Sequence, residues 1–197
     1  MEAEMEMKCS LNHQFGEQLD NWLKSFTPKE RLESTGRFFM GVTSDVLKNI
    51  NINNNEIYWN AAKIAKIMNE HSGMTAKVIE SIPKVLERPI LIMQSKTVKN
   101  RITMFGDAVD ANGKPVLVAL ELSPNNIGEN TNHAVIASAY GKKGAQNFIN
   151  SSGILYVEPN KKRTDKWLLD LRLQLPSPVT IYGPVNNIYD FSEKVNK

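Results

Sequence analysis

At 197 residues, with 41% hydrophobic and 23% charged side chains, the chain can bury a full core, and its composition excludes a disordered polymer. A formal charge of +3 excludes the strongly basic class of nucleic-acid binder, yet leaves RNA or DNA open as a partner. The lone cysteine, Cys9, excludes an internal disulfide. The three histidines, His13, His71 and His133, lie far apart and show no metal-ligand spacing, so no metal and no cofactor is expected.

Residues 1–11 read as a flexible tail. Met1 to Met7 lacks the basic and apolar segments of a secretion signal, and no run of 18 apolar residues predicts a membrane span. From His13 to Phe26, Phe15, Leu19, Trp22, Leu23 and Phe26 fall on one helical stripe. Lys29 to Met40 also reads as helical, with Gly36 weakening it. Ser44 and Asp45 suggest a short capped turn before an Asn-rich loop at 49–55. The periodicity then predicts a helix from Glu56 to His71, with Gly73 as its C-terminal cap and another helix after Thr75 that Pro83 interrupts.

Beyond Pro89 the pattern changes to strands. Ile90 to Ser95 is a short apolar run, Arg101 to Val109 alternates, and Asp110-Ala111-Asn112-Gly113 is a hairpin turn leading to a return strand, Pro115 to Leu122. A polar loop at 124–132 precedes a strand from Val135 to Tyr140. A helix at 144–150, a strand from Ile154 to Val157 and a helix from Lys161 to Leu171 follow, and Pro176, Pro178 and Pro184 break the C-terminal end. The expectation is an α+β fold, with N-terminal helices packed on a four- or five-stranded, mainly antiparallel sheet. It divides into the tail, a helical lead-in at 12–87 and a sheet region at 88–197.

Nucleophile-elbow, P-loop and dinucleotide-binding signatures are absent. What remains is a set of residues suited to phosphodiester chemistry. His71 is either a general acid or base, or a helix-end cation complementing the dipole. Ser95, Lys96 and Arg101 sit at a strand end, where they either hold a phosphate or form a solvated turn. Ser138 and Tyr140 alternate onto one face beside Lys142 and Lys143, either as a phosphate and base site or as a strand-to-helix corner. His133 and Lys161-Lys162-Arg163 read as surface groups, and Trp22, Trp59 and Trp167 as core. His71, Ser138, Tyr140 and Lys96 are the candidate catalytic residues. Ser95, Arg101, Lys142 and Lys143 are the candidate substrate contacts.

Three phrases carry a resemblance: Leu86-Glu87-Arg88-Pro89-Ile90-Leu91-Ile92-Met93-Gln94-Ser95-Lys96, then Asp110-Ala111-Asn112-Gly113-Lys114-Pro115-Val116-Leu117-Val118-Ala119-Leu120, then Ser138-Ala139-Tyr140-Gly141-Lys142. They resemble the C-terminal domain of phage MuF-like proteins, over about residues 36–185. The resemblance implies a phage or prophage origin and a nuclease-like fold of the barnase–EndoU–colicin–RelE class. Its functional expectation is a metal-independent ribonuclease acting in the host cytoplasm on RNA, with His71, Ser95, Ser138 and Tyr140 carried over. The competing expectations are a non-catalytic phage protein that binds or inhibits a host protein, and a nucleic-acid binder without chemistry; a cognate inhibitor protein is a further expected partner.

Overall fold

A computed structural model describes residues 11–52, 56–122, 133–177 and 179. Residues 1–10 of the expected tail with Cys9, the whole polar loop at 124–132, the end of the Asn-rich patch, Pro178 and Pro184 lie outside the described residues. The first helix, α1 (Phe15–Ser25), buries Phe15, Leu19 and Trp22 as its stripe dictates. Pro28 opens α2 (Pro28–Leu32) behind a capping box, in which the Thr27 hydroxyl accepts from the Glu30 N–H and the Glu30 carboxylate accepts from the Thr27 N–H.

The helix expected up to Met40 ends there, and Arg37–Val42 is strand β1. Ser44 starts α3 (Asp45–Asn49), but its hydroxyl donates to the Leu86 carbonyl and does not cap the helix. The helix expected from Glu56 is likewise split. Glu56–Asn60 is strand β2, buried at Ile57 and Trp59, and only Ala61–Glu70 is helix α4. The consecutive β-branched and aromatic residues Ile57, Tyr58 and Trp59 between Glu56 and Asn60 favour a half-buried strand, and the helical period hid that run.

Thr75 caps α5 (Ala76–Glu80) through the Val78 N–H. Pro83 does not break the next segment, because it lies in the first turn of α6 (Ile82–Glu87), where a proline lacks no needed donor. Strands β3 (Leu91–Gln94), β4 (Arg101–Val109) and β5 (Pro115–Leu122) follow, the last two joined by the expected turn with Gly113 at φ 74°. The chain continues through β6 (His133–Gly141), α7 (Ala145–Asn150), β7 (Ile154–Val157) and α8 (Lys161–Leu171).

The strands form one sheet of seven, not four or five, in the order β1-β2-β6-β5-β4-β3-β7. Only β2 and β6 pair in parallel; the other neighbours are antiparallel. The two additional strands are β1 and β2, which extend the sheet beyond β6. One face carries Ile92, Met104, Val118, Leu120 and Ile136 against Phe15, Leu19, Ile64, Ile79 and Ile82. Each such side chain contributes roughly 1.5–3 kcal/mol by leaving water. The other face carries Leu91, Met93, Phe105 and Leu117 beneath Ile149 of α7 and Trp167 of α8, whose Nε1 donates to the Gly106 carbonyl at 2.8 Å.

Arg163 fastens α8 to this layer. Its guanidinium donates to Asp107, Glu158 and the Arg88 carbonyl at 2.8, 2.6 and 2.7 Å. Burial alone would lower its pKa, but the hydrogen bonds and charges of Asp107 and Glu158 outweigh that and raise it. Within the basic run read as a surface feature, this arginine is therefore structural.

Candidate active site

A single irregularity in β6 decides which way its side chains point. Leu120 pairs with Ile136 and Ala119 with Ser138, which leaves Ala137 as an unpaired bulge. The Ala137 carbonyl accepts from Lys63 Nζ of α4 at 3.0 Å. The extra residue lets both Ile136 and Ala139 face the first core, and it turns Ser138 and Tyr140 to the second face. Ser138 and Tyr140 thus share a face, as strand alternation predicts.

Helix α4 ends at Glu70, with His71 as its extended C-cap. His71 is exposed. Its ring stacks on Tyr140, with centroids 5.5 Å apart and planes 23° off parallel. Lys142 Nζ lies 5.7 Å from the Tyr140 ring centroid and 4.6 Å from that of Phe148. Imidazole, phenol and ammonium therefore meet at one end of the sheet.

Asp110 holds this corner together. It is 7% exposed, and its Oδ1 accepts from the Asn112 and Lys114 N–H groups at 2.8 and 2.9 Å. Oδ2 lies against Gly73 and Gly141, where an added Cβ would collide with it. The Ala111 N–H donates to the Gly73 carbonyl at 2.9 Å. One carboxylate thus packs the loop that carries His71 against the strand that carries Tyr140. Gly73 has no left-handed backbone, so its small size serves this close approach and not a helix cap. Asp110 was read from the sequence only as a turn residue; an Asp opening an Asn-Gly turn is the available signal. Replacing Asp110 with alanine should cost about 2 kcal/mol by stranding two N–H groups. Asp110→Asn, which keeps an acceptor, should cost less. Urea denaturation midpoints would check this ordering, and equal midpoints for all three proteins would contradict it.

The remaining candidates lie elsewhere. Arg101 shares the Tyr140 face but is four residues along β4 from Phe105, the residue level with Tyr140, or about 14 Å. It is paired with Glu121 at 2.7 Å. The Ser95 hydroxyl accepts from the Val98 N–H within the β3–β4 turn, and Lys96 is exposed in that turn, at the end of the sheet opposite His71. Lys143 is exposed two residues past the end of β6. The structure thus brings together His71, Tyr140 and Lys142, with Ser138 two residues back on the same face, but not Ser95, Lys96 or Arg101. Among the described residues, no three His, Cys, Asp or Glu side chains gather where they could hold a metal, and no helix is long and apolar enough to cross a membrane.

A family model described as the phage MuF-C-terminal domain matches residues 63–164, more than half of the chain. The chain belongs to the phage MuF C-terminal domain family. The matched segment of this MuF domain runs from α4 into α8 and holds β3 to β7 with His71, Asp110, Tyr140 and Lys142. Strands β1 and β2 precede it. The five strands inside it are those that the sequence shows plainly. No curated protein and no solved structure matches the chain.

Proposed function

We propose that this MuF domain is a ribonuclease that cleaves RNA through its own 2′-hydroxyl, at the corner formed by His71, Tyr140 and Lys142. The observation that carries the reading is the stacked His71–Tyr140 pair with Lys142 beside it. Histidine is the side chain whose ordinary pKa suits proton exchange near neutrality. His71 takes the proton from the 2′-hydroxyl, and the resulting oxygen attacks the adjacent phosphorus. The bond from phosphorus to the 5′-oxygen breaks, and the Tyr140 phenol gives that oxygen its proton. The Lys142 ammonium offsets the charge that builds on the phosphorane. The products are a 2′,3′-cyclic phosphate and a 5′-hydroxyl, and water returns the proton from His71 to Tyr140.

Ser138 and Lys143 flank this corner and are assigned to the substrate's phosphate and sugar. Ser95, Lys96 and Arg101 would reach only a longer strand running across the sheet. With excess chelator present, the wild type should cleave an RNA oligonucleotide and leave the matching DNA intact. Tyr140→Phe and Lys142→Gln should each slow that cleavage at least tenfold. A folded protein that cleaves no RNA would overturn the reading.

A further inference from the structure

Among the described residues, the second face of the sheet is only partly roofed, and the core layer under α7 and α8 includes no side chain of β1 or β2. Cross-strand partners share a face, so the registers place Phe39, Tyr58, Val135, Glu121 and Arg101 in one row across five strands. Phe39 is 38% exposed, and its ring lies 5.6 Å from that of Tyr58. The Arg37 guanidinium sits over the Tyr58 ring at 4.1 Å, and His133 meets the same ring edge-on at 6.2 Å. The Tyr58 hydroxyl donates to Glu56 at 2.7 Å. That bond, followed by burial and the Glu56 charge, raises the Tyr58 pKa, although Arg37 opposes it.

We infer that this open face is a stacking platform for unpaired bases of single-stranded RNA, built from Arg37, Phe39, Tyr58 and His133. The inference rests on the ribonuclease reading, to which it adds the substrate class. Exposed aromatics on a sheet, interleaved with an arginine, offer π-faces to unstacked bases. The Glu56 carboxylate on the same face disfavours backbone phosphates, and Arg101 already offsets Glu121, so the bases lie inward. The phosphates then face Lys142 and Lys143. Tyr58 is level with Arg101, about 14 Å along the strands from Tyr140, so an RNA strand running across the sheet spans both places.

The test is fluorescence anisotropy of the full chain with a labelled 2′-O-methyl oligoribonucleotide, which stacks normally and has no 2′-hydroxyl to cleave. Tyr58→Leu should weaken binding roughly tenfold, the size of one base stack. Phe39→Ser and Arg37→Ala alter exposed side chains, so they test the platform without disturbing the core. Each should weaken binding severalfold. Equal affinity in all three folded variants would overturn the platform, as would an absence of oligonucleotide binding, the result expected of a face that holds a protein. Weakened binding in these variants, with no cleavage of ordinary RNA by the wild type, would refute the chemistry and leave the platform standing.

Discussion

His71→Ala is expected to lower the rate of RNA cleavage roughly 10²–10⁴-fold, the usual worth of a general acid or base. The fold should not change. The side chain is exposed, and the only backbone bond from this residue's N–H, to the Ile67 carbonyl at 2.9 Å, survives in alanine. Circular dichroism and the denaturation midpoint should therefore match the wild type while activity disappears. A variant that retained full activity would remove the imidazole from the chemistry. Ser138→Ala should have a smaller effect, because the hydroxyl lies two residues from Tyr140 and is assigned to binding.

Trp59→Ala should be the most destabilising single change considered, at about 3–5 kcal/mol, against a total stability of typically 5–15 kcal/mol. Trp59 is fully buried in the first core and lies on β2, which joins β1 to the rest of the sheet. The loss should be a cooperative drop in the denaturation midpoint of the whole chain. Trp59→Phe should be much milder, since the indole Nε1 has no hydrogen-bond partner among the described residues and loses nothing when removed. A drop below 1 kcal/mol for alanine would mean that β1 and β2 are an appendage and not part of the folding unit.

These two positions also mark where the sequence was legible. The β4–β5 hairpin and β7 announce themselves through alternation and an Asn-Gly turn, and their bounds match the structure. The face shared by Ser138 and Tyr140 follows from the same alternation, although the bulge that points it outward leaves no local mark. Strand β2 was hidden because it runs straight into helix α4, and β1 because its residues also fit a continuation of the helical reading from Lys29. Asn60 caps α4 directly, so one helical period could absorb Ile57 and Ala61. The strand character of β2 depends on pairing with β6, far away in the sequence, as Tyr58 with Val135 shows, and that of β1 depends on β2. The role of Asp110 depends in the same way on Gly73 and Gly141, both distant in sequence. Residue types named His71, Tyr140 and Lys142, but only the topology could separate them from Lys96 and Arg101.

Cleavage at the His71–Tyr140 corner should use the RNA's own 2′-hydroxyl as the nucleophile. Mass spectrometry of the fragments released from a defined RNA by the wild-type chain, in excess chelator, tests it directly. The expected products carry 2′,3′-cyclic phosphate and 5′-hydroxyl ends, and the same sequence bearing 2′-O-methyl groups should give none. Fragments with 5′-phosphate ends, or intact RNA in the presence of folded protein, would contradict it.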